Sequence, residues 1–216
     1  ARLKEKVLQV AAHLLEARPD DLEISQGKVF VRELPQRAIS FGELARAAVP
    51  GWASKLPEGL EPGLEATFYY VPPTVTWANA AHVAVIEVDI HTGKIELLDY
   101  VVCHDAGKLV NPLLVDGQIH GGVAQGIGGA LYEEIVYDQD GQLLSGSFMN
   151  YLLPGSMEVP KIKTVHLESP SPLNPLGIKG LGEGGAIAPP AAIANALEDA
   201  LSPFRVQVNE IPLKPD

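Results

Sequence analysis

The sequence predicts an α+β fold, on three observations. Helical and extended patterns succeed one another without the regular strand–helix–strand alternation of a doubly wound sheet. The extended runs come in neighbouring pairs joined by turn residues, as antiparallel hairpins do. The helical runs are few, and two of them are unusually rich in glycine or alanine.

In chain order, Leu3, Val7, Val10 and Leu14 recur at helical spacing and predict a helix over residues 2–17. "LEISQGKVFV" gives two short extended runs around Gln26-Gly27, a hairpin signal. Ser40 followed by Glu43 is a capping-box pattern, opening a short helix to about Ala48. Residues 50–66 carry three prolines and three glycines, which predicts an irregular connector and a boundary between two lobes there. "TFYYV" reads as a strand ahead of Pro72-Pro73. "AHVAVIEVDI" and "KIELLDYVVCH" flank His91-Thr92-Gly93 and predict a second hairpin. "EEIVYDQDGQLLSG" predicts a strand pair turning at Asp140-Gly141, "KIKTVHLES" a further strand and "FRVQVNEI" a last one.

The chain has 216 residues, a net charge of −11 and 46% apolar residues. That balance argues against a nucleic-acid surface, where Lys and Arg would cluster. No apolar run approaches the ~20 residues that span a bilayer. A single cysteine, Cys103, allows no internal disulfide, and the compartment expected is the cytoplasm. A helix pattern that begins at residue 1 without Met reads as a piece of a longer polypeptide.

Two segments ask for a chemical explanation. "NPLLVDGQIHGGVAQGIGGALYEE", residues 111–134, should be helical, because Val115, Ile119, Val123, Ile127 and Leu131 follow an i, i+4 spacing. Yet it holds Gly121, Gly122, Gly126, Gly128 and Gly129, each costing about 1 kcal/mol relative to Ala. Gln118, Gly122, Gln125 and Gly129 fall in one stripe, with the two amides about 10 Å apart along the axis. Either a polar, extended ligand lies on that stripe, or another segment packs closely on the glycines. The second segment is "GIKGLGEGGAIAPPAAIANALEDAL", where Glu183 is set among Gly180, Gly182, Gly184 and Gly185 with Lys179 just before. Glu183 is either an acid in the first turn of the following helix or a base held beside a ligand that the glycines admit.

Gly180-Leu-Gly182-Glu-Gly184-Gly185 also fits G-x-G-x-x-G, but the proline-rich run before it is no strand, and the acid expected about 20 residues on is missing. The histidines show no zinc-ligand spacing, and no metal ligand is assigned to the chain. His82, His104 and His166 read as strand residues, with Asp105 and His120 as candidate polar site-liners.

Together the two segments resemble the C-terminal part of the molybdopterin-binding large subunit of the xanthine dehydrogenase/aldehyde oxidase family, closest to the aerobic carbon monoxide dehydrogenase and aldehyde dehydrogenase type. "VDIHTGKIELLDYVVCHDAGKLVNP" and "ISFGELA" support the resemblance, which covers essentially the whole chain. It implies the α+β, hairpin-containing fold of that region, with the N-terminal part of the subunit supplied by chain outside these residues. It implies a molybdenum-dependent oxidoreductase that hydroxylates an aldehyde, CO or a heterocycle, with Glu183 as catalytic base. Gln118, Gln125, Lys179, Gly180, Gly182 and Gly184 would contact a molybdenum–molybdopterin cofactor, including its cytosine dinucleotide form. The implied partners are a medium subunit with FAD and a small subunit with 2Fe-2S clusters, assembled as a dimer of heterotrimers. The isolated chain would then hold half of an active site and be inactive. The alternative is a non-catalytic pterin-binding or scaffolding module of the same fold. In the carbon monoxide dehydrogenases an essential loop cysteine lies next to molybdenum, and Cys103, in an expected strand, does not match it.

Overall fold

A computed structural model describes residues 2–51 and 55–215, so residues 52–54 of the expected connector lie outside the described residues. Chain contacts divide it into two compact units, one ending at Val71 and the other starting at Pro72.

The first unit is built from local signals. Helix α1 (Arg2–Leu14) buries Val7, Val10 and Ala11 against Leu22, Val29 and Leu44. Strands β1 (Leu22–Ser25) and β2 (Lys28–Val31) form the expected hairpin. Its two turn residues, Gln26 and Gly27, both take positive φ, 48° and 75°, which suits the twist of a two-residue hairpin turn. Strand β3 (Leu34–Ser40) was not expected. It contains Pro35 and lacks alternation, and it is tolerated as an edge strand beside β2. Helix α2 (Phe41–Ala47) opens with the capping box: the Glu43 N–H donates to Ser40 Oγ and the Ser40 N–H to the Glu43 carboxylate.

The second unit has a three-stranded sheet in the order β4 (Asn79–Val88), β5 (Ile95–Asp105), β6 (Ile162–Leu167). β4 and β5 are the predicted antiparallel hairpin, turning at Gly93 with φ 72°. β6 pairs parallel to β5, so the glycine-rich helix α3 (Pro112–Leu131) is the crossover between them. This is one β-α-β passage within an α+β fold. Tyr100 and Val102 of β5, Val115, Ile119, Val123 and Ile127 of α3, and Ile193 and Leu197 of α4 (Pro189–Ala200) make the core.

Four expected strands are absent among the described residues. "TFYYV" is irregular, largely exposed and followed by Pro72-Pro73, and no strand pairs with it. The pair over 133–146 reduces to a single bridge, Tyr137 with Leu143, because the Asp138 carboxylate takes the N–H groups of Asp140 and Gln142 and curls the chain. "FRVQVNEI" turns through Arg205 at φ 58°, and the Val208 N–H donates to the Glu198 carboxylate of α4 instead of to a strand.

Candidate functional site

The two segments singled out in the sequence meet in the second unit. The stretch 177–189 forms a loop that ends on α4, and it is fastened at four successive places.

The first fastening is to the end of β5. The Lys179 N–H donates to the Ala106 carbonyl at 2.9 Å, and the Lys108 N–H donates to the Gly177 carbonyl at 2.9 Å. Beneath them, the Lys179 ammonium donates to Asp105 Oδ2 at 3.0 Å, with both side chains about nine-tenths buried. Asp105 Oδ1 accepts from the N–H groups of Gly107 at 2.8 Å and Ser169 at 3.1 Å. Burial alone would push the Asp105 carboxyl up, but the Gly107 and Ser169 donors and the Lys179 charge outweigh it and hold it well below the usual carboxylate range.

The second fastening is Gln118 of α3, whose Nε2 donates to the Gly182 carbonyl at 2.7 Å. The third is Gly184, whose backbone lies against the buried imidazole of His104 and the half-buried one of His82. The fourth is glycine against glycine. A Cβ on Gly122 would stand 2.8 Å from Gly185 Cα and 2.9 Å from Ala186 N. One on Gly126 would stand 2.7 Å from Pro189 Cγ. Real Cβ atoms do not come that close, so these two helix glycines exist to let the loop in.

Between those fastenings the crest is open. Gly180 and Gly182 are exposed, and a Cβ added to Gly182 would meet nothing within 4 Å. Glu183 is exposed, and its carboxylate has no hydrogen-bond or ion-pair partner among the described residues. Helix α4 begins only at Pro189, six residues on, so Glu183 is not an acid of its first turn.

Of the residues nominated from sequence, Gln118, Lys179, Gly180, Gly182, Glu183 and Gly184 therefore belong to one loop assembly. Gln125 is exposed on α3 without a hydrogen bond among the described residues. The stripe is thus no continuous open track. At Gly122 it is roofed by the loop, while Gly121 and Gly129 face space with nothing within 4 Å. Asp105 is the buried clamp of Lys179, and His120 is exposed on α3. The histidines on β4, β5 and β6 were read as strand residues, and all three are. Their convergence behind the loop was missed. The inward alternation Tyr100, Val102, His104 was the available signal.

The crest suits an organic cofactor that approaches backbone closely. It offers unobstructed glycines, an amide side chain and a free carboxylate. Among the described residues no cluster of three or more His, Cys, Asp or Glu could itself hold a metal ion. No helix of the described residues is long and apolar enough to cross a membrane.

Comparison with known proteins places the chain in a family. Residues 1–160 match the sequence profile of the molybdopterin cofactor-binding domain. The chain is 37% identical over 215 residues to the nicotine 6-hydroxylase large subunit of Paenarthrobacter nicotinovorans, covering 99% of this chain and 26% of that one. It is 37% identical over 201 residues to the carbon monoxide dehydrogenase large chain of Afipia carboxidovorans, covering 92% and 24%. Its fold superposes on quinoline 2-oxidoreductase from Pseudomonas putida 86 with a TM-score of 0.86 at 42% identity, covering 98% of this chain and 27% of that chain. The chain thus spans about a quarter of the length of the relatives it matches. It belongs to the molybdopterin cofactor-binding domain family of molybdenum hydroxylase large subunits.

Proposed function

We propose that the chain is the C-terminal, cofactor-facing portion of a molybdenum hydroxylase large subunit, and that Glu183 is its catalytic base. The observation that carries this reading is the unpaired, exposed carboxylate at the crest of a loop otherwise fastened on both sides. A surface acid without a role would more often sit where motion is free. Here the backbone on either side is held, as proton transfer at a fixed point requires. Lys179 is spent on Asp105, so its ammonium does not pair with the Glu183 carboxylate.

The bound molybdenum–molybdopterin, in its cytosine dinucleotide form, would supply the two-electron oxidation chemistry. The chain's own residues would do the rest. Gln118, with Nε2 already given to Gly182, has its carbonyl oxygen left to accept from the cofactor. Gly180 and Gly182 let the cofactor reach the backbone, Gly184 closes the cofactor loop behind them on His104, and Gln125 extends the polar edge of α3. Glu183 takes the proton as substrate is hydroxylated. The substrate is an aldehyde, CO or a heterocycle, selected largely by residues beyond this quarter of the subunit. Electrons would leave through 2Fe-2S clusters to FAD on partner subunits, in a cytoplasmic dimer of heterotrimers. The chain by itself would be inactive.

The test is Glu183→Gln in the full-length, assembled enzyme. Turnover should fall by roughly two to four powers of ten, while molybdenum and pterin per large subunit stay near wild type. Turnover close to wild type would remove the assignment and favour a scaffolding module that needs no base.

A further inference from the structure

Three histidines from three strands stand in one row behind the Glu183 loop. His104 of β5 is directly opposite His166 of β6, and His82 of β4 is diagonal to His104, since Ala80 is opposite His104 and His82 opposite Val102. The outer two are anchored. His82 Nδ1 is 3.0 Å from the Tyr100 hydroxyl, and the Tyr100 ring meets it edge-on. His166 Nε2 is 2.8 Å from Asp116 Oδ1, and Asp116 also accepts from Thr164 Oγ1 at 2.7 Å. The middle ring is different. His104 is only 1% exposed, yet neither of its ring nitrogens has a hydrogen-bond partner among the described residues. An unpaired buried polar group of this kind costs stability and calls for a reason.

The reason lies directly above it. The His104 Nε2 edge is what any side chain at position 184 would strike, and the Gly184 backbone also faces His82. The residue after Glu183 is therefore seated on the buried His104 ring beside the half-buried His82, while Gln118 holds the residue before it. Leu or Phe at 104 could fill the volume without the unpaired nitrogens. A flat, narrow ring that remains uncharged offers a seat on which glycine backbone can rest.

We propose that His104, with His82, is the positioning seat of the catalytic loop: it sets where the Glu183 carboxylate stands by holding the Gly184 backbone. The inference rests on the reading of Glu183 as base. It makes His104 a positioning residue that acts through the loop, without touching substrate.

The seat works with its rings neutral, and their surroundings keep them so. Burial lowers the pKa of His82, with the neighbouring His104 adding to the effect and the Gly184 backbone opposing it without reversing it. Burial likewise lowers that of His104, with His166 adding and Asp105 opposing. The other charged groups near the row are already engaged: Asp116 with His166, and Lys179 with Asp105. His120 on α3 is near enough to Asp116 to affect its charge.

The experiment is a steric double-mutant cycle in the full-length holoenzyme, read by kcat, KM, molybdenum content and hydrogen exchange of the 180–188 segment. Gly184→Ala should lower kcat at least thirtyfold and speed exchange at the Ala186 amide, which donates to the Glu183 carbonyl. KM and molybdenum content should change less than threefold. His104→Ala should likewise speed exchange and lower kcat. Combining the two should restore at least tenfold of the kcat lost in Gly184→Ala, because the methyl then enters the space the ring vacated. If His104→Ala does not assemble, His104→Asn replaces it, with the same rescue expected. A double variant no better than the worse single one overturns the seat, whether or not loop exchange moves. Glu183→Gln run alongside separates the two ideas. If it keeps wild-type turnover, the base reading has failed. If it is inactive and the rescue is absent, the seat alone has failed.

Discussion

The flank and the crest of the 177–189 loop are made of the same residue type and use it for opposite ends. On the flank, Gly122 and Gly185 are where backbone meets backbone and Gly126 is where the helix meets the Pro189 ring, and a methyl on any of them would overlap a neighbour. At the crest, Gly182 faces space and Glu183 has no partner among the described residues. Glycine in the first region serves the fold. In the second it serves something the chain does not itself supply. The difference shows that a glycine-rich stretch is no single signal. What matters is whether the missing side chain is replaced by the protein's own atoms.

The loop loses most if its flank is released at the deepest point. Asp105→Ala would leave the Lys179 ammonium buried without its partner and free the N–H groups of Gly107 and Ser169. Removing one member of a buried pair costs about 3–5 kcal/mol. The expected outcome is a lower thermal transition for the subunit and loss of hydrogen-exchange protection at residues 177–179. An unchanged transition would mean that the loop is held without the clamp. The pH dependence carries a sign as well. A carboxyl depressed by folding contributes stability that is fully present above its unfolded pKa, about 3.9, and is withdrawn as pH falls toward the folded value. Wild type should therefore lose stability below about pH 4 more steeply than Asp105→Ala does.

A smaller effect of the same kind is expected at the glycine contact. Gly122→Ala puts a Cβ into the Gly185–Ala186 backbone, where overpacking costs about 1–3 kcal/mol. Against this stands the ~1 kcal/mol that Ala gains over Gly inside a helix. The net should be a destabilisation of about 1 kcal/mol, together with faster exchange at Ala186. A stabilised Gly122→Ala would show that the loop does not press on the helix as described.

How much of this was legible follows from how far apart the partners are. The Gln26-Gly27 turn, the Ser40–Glu43 box and the hairpin at Gly93 are settled by residues within a few positions of one another, and each was readable. The parallel pairing of β6 with β5 was not, because its register, Tyr100 with Ile162, depends on how α3 packs and leaves no local mark. The "FRVQVNEI" run alternates like a strand, yet the Glu198 carboxylate took the Val208 amide first. At the site, Gln118, Gly182 and Glu183 could be nominated from the sequence, but not the bond that joins Gln118 to Gly182. Asp105 left one local trace, the Asp-Ala-Gly spacing that lets its side chain accept from Gly107, while its ion pair with Lys179 lies 74 residues away.

The finest test of the comparison lies within α3 itself, one residue from the contact. Gly121 and Gly122 are adjacent in the helix interior and carry the same propensity cost, but a Cβ at Gly121 would meet nothing within 4 Å. Gly121→Ala should therefore recover the helix term unopposed and raise stability by up to about 1 kcal/mol. The shift in the thermal transition should be upward and small, with exchange at Ala186 unchanged. The pair Gly121→Ala and Gly122→Ala thus differ in sign although they share residue type, helix and substitution. A destabilised Gly121→Ala would mean that a further surface closes on the open side of α3 in the complete subunit. The open side would then belong with the flank instead of the crest.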